Sequence, residues 1–481
     1  MRSPTRNIVI VGGGFCGTVL AANLLRRPPR QQTRIVLVER RAELGRGVAY
    51  QSGPGQYLLN VPAGRMSADS RDPTQFVRFA QRRRSNVTAG DFLPRQLYGD
   101  YLQDLLKTAE QAAPNHIHLD AVRGQARAIH RIEHADSFLV DVSGHGNFAA
   151  DDVVLACGDP APVCPGFARN VEGHPNFACD PYREGALRAH ARTMVVIGTG
   201  LTAADTIVTA ATLSPGITIH AISRHGLLPA VQGGGAFNPT DLDIPSTMEV
   251  APPTARRLLR EFRLLAKVVE RRGGDWRDAM TIGRHAAPRL WQQLPLVERR
   301  RFLRHARTYW DVHRHRLPPA IAARLAALRE ANRLYIHAGR ILGIDSEGES
   351  LRVRWRPRGT ADTARQSVDR VANCMGADQR LEHCGEPLLK GLLGSGLAMA
   401  DPLGVGLRTD RQGALLGRKG RACGRLFYLG PMLRAQHWEA TAVGELRVHA
   451  EQLAQSLAFE REDVCVAPSQ PVVSKILATG N

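Results

Sequence analysis

The stretch IVIVGGGFCG, residues Ile8–Gly17, decides how the first part of the chain folds. Its four leading apolar residues predict a short buried strand, and the glycines that follow fit G-x-G-x-x-G at the start of a helix that ends near Leu25. The first glycine permits a tight turn, the second lets a pyrophosphate approach the backbone, and the third lets helix and strand pack closely. A glycine turn can also serve packing alone. Strand, turn and helix together predict a nucleotide site at the helix N-terminus.

A second predicted strand, RIVLVER at Arg34–Arg40, supports this interpretation. Glu39 lies at the end of that strand, where a carboxylate accepts hydrogen bonds from the ribose hydroxyls of a dinucleotide. The first cofactor is therefore predicted to contact Gly12, Gly14, Phe15, Cys16, Gly17, Glu39, Arg40 and Gly158.

The strand–glycine–helix pattern recurs at TMVVIGTG, residues 193–200, with alanine in place of the third glycine. The next predicted strand ends in Ser-Arg-His and has no carboxylate. An arginine at that place, Arg224, can bind a 2′-phosphate bidentately, which favours NADPH over NADH. If Arg224 is only a solvent-exposed strand end, either nicotinamide would serve. The second cofactor is predicted to contact Gly198, Gly200, Thr202 and Arg224.

Two such units in a chain of 481 residues predict an α/β protein with two Rossmann-like dinucleotide-binding domains. Apolar residues at helical spacing among many arginines predict a helical insertion at about 251–335. We expect the first domain to comprise residues 1–185 and 346–481. The second domain, with its insertion, is expected at 186–345.

Composition narrows the classes of partner. The formal charge of +19 comes almost wholly from arginine, which is spread along the chain without an aromatic-interleaved patch. Such diffuse charge argues against a nucleic-acid site and favours attraction of small anionic substrates. The eight cysteines form neither a C-x-x-C pair nor a zinc pattern, so we expect no metal and a reducing, cytoplasmic environment. No stretch suits a membrane span or a targeting segment.

Two dinucleotide folds in one chain imply two redox cofactors, of which one is usually a flavin. A disulfide reductase would need a cysteine pair in the first domain, and Cys16 has no cysteine neighbour before Cys157. A flavin monooxygenase needs no protein nucleophile. A reductase that only transfers hydride would look the same in sequence, so both of these classes stay open.

Further motifs follow one another along the chain: VIVGGGFCG, GRGVAY, LLNVPAGRMS, FLPRQLYGDYL, GTGLTAAD, ISRHGLLP, YWDVHRHRLPP, NCMGAD and GPMLRAQHWEATAVGELR. In their order and spacing they resemble an FAD/NAD(P)-binding family of flavin monooxygenases that includes FAD-dependent urate hydroxylases and aspartate N-monooxygenases. The chain departs from that family at Met375 and Cys157, where many relatives carry threonine.

The resemblance implies that FAD binds the first domain and that the last strand and helix return to complete it. Gly430 and Pro431 would then place the start of the last helix near the flavin ring, where backbone N–H groups stabilise an anionic reduced flavin. NADPH or NADH would supply hydride from the second domain.

Two polar motifs supply the candidate catalytic residues. In LLNVPAGRMS, Pro62 and Gly64 predict a rigid turn, and Asn60 and Arg65 are predicted to contact flavin or substrate. In YWDVHRHR, His313 and Arg316 are predicted to line a channel between the domains and to attract an anionic substrate. A cationic surface helix is the alternative for this second motif. The spacing of its histidines does not suit a metal.

These residues fit an FAD-dependent, NAD(P)H-using monooxygenase that acts with O₂ on a small anionic substrate. The resemblance implies hydroxylation of urate to 5-hydroxyisourate through a flavin C4a-hydroperoxide. The alternatives are an aspartate-type amino-acid N-monooxygenase and a non-oxygenating reductase or redox protein. The oligomeric state stays open.

Overall fold

The computed structural model describes residues 5–51, 57–132, 136–233, 253–377 and 380–459. Their strands are β1 (Arg6–Val11), β2 (Thr33–Glu39), β3 (Ile117–Arg123), β4 (Ala126–Arg131), β5 (Phe138–Val142), β6 (Gly146–Ala150), β7 (Asp152–Leu155), β8 (Phe177–Ala178), β9 (Thr193–Ile197), β10 (Thr218–Ser223), β11 (Leu334–Glu347), β12 (Ser350–Pro357), β13 (Ala364–Val368), β14 (Arg370–Asn373), β15 (Ala414–Leu416) and β16 (Ala422–Tyr428). Their α-helices are α1 (Phe15–Arg26), α2 (Gln75–Gln81), α3 (Arg95–Gln111), α4 (Leu201–Leu213), α5 (Ala255–Arg271), α6 (Trp276–Gln293), α7 (Leu296–His305), α8 (Arg307–Arg314), α9 (Pro319–Glu330), α10 (Pro387–Ser395) and α11 (Val443–Ala458).

The first sheet has the strand order β15-β16-β7-β1-β2-β3 and is parallel except at β15. Its central strand β1 is buried because both faces are covered, which explains the unbroken apolar run Ile8–Val11. Helix α1 packs between α3 and α11 on one face. The chain therefore returns near its C-terminal end to complete the sheet that it began.

The second sheet has the order β13-β12-β11-β10-β9-β14-β8. Strands β8, β14, β9, β10 and β11 run parallel, and the long β11 continues into an antiparallel meander with β12 and β13. Helix α4 follows β9 as α1 follows β1. The predicted α/β class with two Rossmann-type units is confirmed by this arrangement.

In the described part of the chain between β10 and β11 there are five α-helices, α5 to α9. They contact the first domain through aromatic packing: the rings of Trp291 in α6 and Trp438 lie 4.6 Å apart, and the Trp291 indole N–H donates to the Ala435 carbonyl at 3.0 Å. The insertion, which belongs to the chain of the second dinucleotide fold, thus also contacts the first. A separate antiparallel sheet of β4, β5 and β6 packs beside the first domain.

Strand pairing suggests domain boundaries other than the expected 185 and 345. Strands β12 to β14, at 350–373, pair within the second sheet, and β8 at 177–178 forms its other edge. We propose that the second domain spans about 160–377, and that the first domain comprises the residues before and after it. These boundaries keep the β-meander of β11, β12 and β13 in one domain, and its pairing is not visible in local sequence.

Candidate active site

The first glycine turn joins β1 to α1 and leaves no room for side chains at two of its positions. Gly12 has φ +110°, and a Cβ there would lie 2.5 Å from the carbonyl oxygen of Ala156. A Cβ on Gly17 would lie 1.9 Å from the carbonyl oxygen of Gly12. Packing within the protein therefore requires these two glycines. A Cβ on Gly14 would make only ordinary contact, 3.5 Å from Gly47 Cα, so packing does not explain Gly14.

Helix α1 begins after Gly14 without a side-chain cap, so its first N–H groups are available to an anion. The buried Glu39 braces the turn from the end of β2: its Oε2 accepts the Gly13 N–H at 2.8 Å, and its Oε1 accepts the Arg41 N–H at 2.9 Å. Cys16 is buried in the first turn of α1, and burial raises the pKa of its thiol to about 12. An uncapped N-terminus behind a glycine turn fits the pyrophosphate of a dinucleotide.

Tyr428 at the end of β16 ties two turns together beside the first glycine motif. Its hydroxyl donates to the Gly158 carbonyl at 3.2 Å and accepts the Met432 N–H at 3.1 Å. A Cβ on Gly430 would lie 2.6 Å from that hydroxyl. Burial raises the pKa of Tyr428 well above its ordinary value. Gly158 and Gly430 are therefore held in one place by a single buried phenol.

The chain after Gly430 reaches the last helix through an intermediate turn. Pro431–Ala435 is a single 3₁₀ turn, and the last α-helix, α11, begins at Val443. The role expected for Gly430, Pro431 and the start of that helix beside the flavin stays a prediction. The Arg40 guanidinium pairs with the Glu386 carboxylate at 3.1 Å.

The second glycine turn opens into a cavity of 1420 Å³. Gly198 has φ +107°, and a Cβ there would lie 2.7 Å from the Cys374 carbonyl oxygen, whereas a Cβ on Gly200 would meet nothing within 4 Å. Both glycines line the cavity together with Thr202 and Arg224. The four residues predicted for the second cofactor thus share one space. Helix α4 also begins without a side-chain cap.

The far wall of the cavity contains a buried polar cluster that sequence reasoning missed. Glu439 accepts the Trp310 indole N–H at 3.0 Å and the Arg314 Nε–H at 2.6 Å. Asp311 pairs with Arg307 at 3.3 Å. The motif QHWEAT carried the signal for Glu439, but its partners come from α8 and are seen only in three dimensions.

His315 lines the same cavity, and 39% of its side chain is exposed there. Burial, reinforced by Arg314 and other nearby guanidiniums, lowers the pKa of this imidazole to about 3. His315 is therefore neutral near pH 7, with one donor nitrogen and one acceptor nitrogen. It adds polarity to the cavity without adding charge.

The loop Leu58–Ser67 is held rigidly by backbone pairing. The Ala63 N–H donates to the Asp91 carbonyl at 2.9 Å, and the Gly64 N–H donates to the Ala89 carbonyl at 2.8 Å. Residues Ala63–Arg65 form a 3₁₀ turn, and the Arg65 side chain is exposed. The rigid turn expected from Pro62 and Gly64 is thus present.

Gln232 joins this loop to the end of the helical insertion. Its side-chain amide donates to the Asn60 carbonyl at 2.7 Å, and its backbone N–H donates to the Leu317 carbonyl at 2.8 Å. The neighbouring Arg316 is 9% exposed, and Arg65 is close enough to help lower its pKa. The loop of Asn60 is therefore tied to the segment that follows Arg316.

His313 lies elsewhere. Its Nδ1 is 2.7 Å from the Tyr309 carbonyl oxygen, and its exposed ring stands edge-on to Trp276 at 5.0 Å. It does not line the cavity. The alternative of a cationic helix surface fits His313 better than the predicted channel does.

A buried ion pair connects the two domains. Arg95 at the start of α3 lies 2.9 Å from the Asp205 carboxylate in α4, and Tyr182 donates to the same carboxylate oxygen at 2.7 Å. Burial raises the pKa of Asp205 above its ordinary value, although Arg95 opposes the shift. The motifs FLPRQLYGDYL and GTGLTAAD supplied both residues, but sequence gave no reason to pair them.

Among the residues that the structure describes, no three His, Cys, Asp or Glu side chains are grouped as metal ligands. No helix within those residues combines the length and apolarity needed to cross a membrane.

Two parallel sheets, each with a glycine turn under an uncapped helix, define an FAD/NAD(P)-binding fold of the Rossmann type. Residues 9–160 match a protein-family model described as FAD-NAD(P)-binding. No curated protein sequence matches the chain.

Solved structures with the same fold cover almost the whole chain. An ornithine N-hydroxylase of Kutzneria sp. 744, with reduced FAD, NADP⁺ and L-ornithine, has a TM-score of 0.61 at 18% identity over 94% of this chain and 99% of that one. L-lysine 6-monooxygenase from Pseudomonas syringae has a TM-score of 0.62 at 17% identity, over 95% and 100%. The FAD-bound cadaverine monooxygenase of Erwinia amylovora has a TM-score of 0.62 at 13% identity, over 98% and 100%. At these identities the likeness establishes the fold alone.

Proposed function

We propose that the protein is a flavin-dependent monooxygenase that uses NADPH and O₂ to hydroxylate the amine nitrogen of a small substrate. The observation that carries this proposal is the 1420 Å³ cavity, which extends from the second glycine turn to Arg434 and Glu439 in the returning segment of the first domain. A nicotinamide held at that turn can reach toward the first domain through this space. The three solved structures named above are of an ornithine N-hydroxylase, an L-lysine 6-monooxygenase and a cadaverine monooxygenase, which supports this chemistry.

In this proposal, FAD lies on the uncapped N-terminus of α1, beside Gly14, Glu39 and Gly158. NADPH lies on α4, with its 2′-phosphate at the exposed Arg224. The reduced flavin supplies an electrophilic oxygen atom from O₂, and the protein supplies orientation and a dry site.

The protein's own residues set the state of the reacting amine. An amine accepts oxygen only through a free lone pair, so it must lose its proton before it reacts. His315 stays neutral and offers hydrogen bonds without charge, while the buried Glu439 is neutralised by Arg314. A cavity wall of this kind does not stabilise an ammonium ion and therefore favours the free amine.

The urate expectation has no support among the proteins of the same fold named above, which hydroxylate ornithine, lysine or cadaverine. The amino-acid N-monooxygenase alternative fits better and replaces it as the main proposal. A reductase that never transfers oxygen is the remaining alternative. If the protein is such a reductase, hydrogen peroxide is expected as the sole product of O₂ reduction.

Turnover with a substrate panel tests the proposal. The FAD-loaded protein is mixed with NADPH and, separately, with L-aspartate, L-ornithine, L-lysine, cadaverine and urate. NADPH oxidation, oxygen uptake and product mass are followed together. A product that gains one oxygen on nitrogen, formed from any amine, supports the proposal. Peroxide alone with every amine would reject it, and urate consumption would restore the earlier expectation.

A further inference from the structure

Three carboxylates line the large cavity among the residues that the structure describes: Asp159, Asp311 and Glu439. Glu439 is only 3% exposed, and the hydrogen bonds described above occupy both of its oxygens. Asp159 is held at 2.7 Å by the buried guanidinium of Arg434, which is the distance of a strong charge-assisted bond. Asp311 is therefore the carboxylate of this cavity that its own protein engages least.

Asp311 presents one oxygen atom to the cavity. Its side chain is 38% exposed, and its Oδ2 lies 3.3 Å from Arg307 Nε. Its Oδ1 lies 3.9 Å from His315 Nε2, which is beyond hydrogen-bond distance, and this oxygen forms no hydrogen bond within the described residues. One side of the carboxylate is thus held by Arg307, and the other side is available to a ligand in the cavity.

The helix α8 places these groups on one face. Arg307, Asp311 and His315, the C-cap residue of α8, are spaced four residues apart, and all three line the cavity. The ion pair between Arg307 and Asp311 fixes the carboxylate on that face. The imidazole beyond it is neutral near pH 7 and adds no positive charge that would repel a cation entering the cavity.

The charged groups that face Asp311 balance one another. On its own helix they are Arg307 and the neutral His315, and from the returning segment of the first domain they are Glu439 and Arg434. Each of the last two has an oppositely charged partner of its own. Burial raises the pKa of the Asp311 carboxyl above its ordinary value, while Arg307 opposes the shift. A higher pKa makes a carboxylate a better proton acceptor.

We propose that Asp311 receives the ammonium group of the substrate and accepts its proton, so that the amine is held in the cavity with a free lone pair. This inference rests on the proposed function, which requires a deprotonated amine. The N–H bond breaks, its electron pair stays on nitrogen, and the proton forms an O–H bond with Oδ1 of Asp311. An ion pair becomes a neutral amine and a neutral acid, and partial burial favours the neutral pair.

The proton balance closes with the reagents of the proposed reaction. R–NH₃⁺, NADPH and O₂ give R–NHOH, NADP⁺ and H₂O. The proton that Asp311 takes up is consumed when water forms, and the carboxylate is regenerated. No further acid, base or reductant is needed.

Binding without turnover tests the site. L-Ornithine, L-aspartate and cadaverine are each titrated calorimetrically into the FAD-loaded protein with NADP⁺, which cannot reduce the flavin. We expect Asp311→Asn to weaken amine binding by about tenfold or more near pH 7, because the substrate must then leave its proton in solution. Near pH 9, where about a tenth of an amine with a pKa of about 10 is already free, the loss is expected to be smaller.

Turnover of a hydroxylated amine supplies a second measurement. Asp311→Asn is expected to lower the rate of hydroxylation near pH 7 by about 100-fold, with oxygen diverted to peroxide. Flavin reduction by NADPH is expected to stay within about twofold of wild type, since the proton acceptor acts only on the amine. The residual rate is expected to rise about tenfold per pH unit, in step with the free amine in solution.

Arg307→Gln separates proton transfer from a structural role of the ion pair. It keeps the carboxylate and removes the charge that lowers the pKa of Asp311. Hydroxylation requires the ionised carboxylate, so we expect this variant to stay active and the acidic limb of its pH profile to move to higher pH. Equal losses in Arg307→Gln and Asp311→Asn, with an unchanged pH profile, would show that the pair only supports the structure.

Asp136→Asn is the matched control, because Asp136 also pairs with an arginine, Arg131, at 3.3 Å but does so on the surface away from the cavity. It is expected to bind and hydroxylate amines as wild type does. Asp159→Asn tests the other partly exposed carboxylate of the cavity, and a larger loss of amine binding there than in Asp311→Asn would overturn the proposal. Circular dichroism and flavin absorbance verify that each variant is folded and loaded.

The two proposals fail in different ways. If wild type and Asp311→Asn hydroxylate an amine equally well, N-hydroxylation stands and the role of Asp311 is rejected. If an amine binds in a manner that depends on Asp311 and on pH, but only peroxide forms, Asp311 stands as the amine site and N-hydroxylation is rejected. If none of the three amines binds to wild type, the amine site at Asp311 is rejected.

Discussion

Arg95 and Asp205 form a 2.9 Å ion pair that fastens the first domain to the helix following the second glycine turn. Their side chains are 15% and 8% exposed. The same guanidinium donates through Nε to the Leu58 carbonyl at 3.0 Å, at the start of the Leu58–Ser67 loop. One buried arginine therefore connects that loop, α3 and α4.

Asp205→Asn leaves the Arg95 charge buried and uncompensated. We expect it to lower the apparent free energy of unfolding by about 3–5 kcal/mol, measured by urea denaturation of the FAD-loaded protein. Asp120→Asn is the control, since Asp120 pairs with Arg34 on the surface and is expected to contribute less than about 1 kcal/mol. Equal destabilisation by the two substitutions would show that the link between the domains is energetically unimportant.

Gly14→Ala and Gly17→Ala separate cofactor binding from folding. The added methyl at Gly17 would lie 1.9 Å from a backbone oxygen, so we expect a marked loss of stability. The methyl at Gly14 meets only ordinary contacts, so we expect a folded protein that purifies without FAD. Thermal unfolding and flavin absorbance report the two effects. Full FAD retention by Gly14→Ala would contradict the pyrophosphate site.

Arg224→Gln tests the choice of nicotinamide. The side chain is exposed at the end of β10 and lines the large cavity. Loss of its bidentate bond to a 2′-phosphate is expected to raise the Kd for NADPH by about tenfold or more and to leave that for NADH unchanged. Stopped-flow measurements of flavin reduction at varied nucleotide concentration give the Kd for NADPH and the Kd for NADH. An equal change for the two nucleotides would place Arg224 away from the 2′-phosphate.

The two glycine turns could be predicted because strand, turn and helix are neighbours in sequence, and steric limits at Gly12 and Gly198 act locally. The extent of the second sheet could not be predicted from the sequence. Strands β12 to β14 join it through pairing with β11 and β9, and pairing partners are not encoded in the local alternation of apolar residues. The start of α11 is likewise unmarked in the sequence, because its N-cap is Ala442, which carries no capping signal.

The sequence predicted several residues of the candidate site, but it did not predict how those residues are arranged in space. Gln232, a residue that no motif singled out, links Asn60 to Leu317, the residue after Arg316. His313 and Arg316 are neighbours in sequence, yet the end of α8 at Arg314 directs them to different surroundings. Glu439 belongs to a recognisable sequence motif. Only its contacts with Trp310 and Arg314 show that its carboxylate is buried and that its charge is neutralised.

His449 on α11 is expected to make stability depend on pH. Burial, with a smaller effect of His437, lowers its pKa from 6.5 to about 4. The unfolded chain therefore binds a proton more readily than the folded one between these values, and folding is progressively destabilised as pH falls from 6.5 toward 4. In urea titrations between about pH 7.5 and 5, His449→Gln is expected to reduce that loss by about 1–3 kcal/mol. The exposed His118, replaced by Gln, is expected to keep the wild-type slope. If His449→Gln keeps that slope as well, the imidazole is not held neutral by burial.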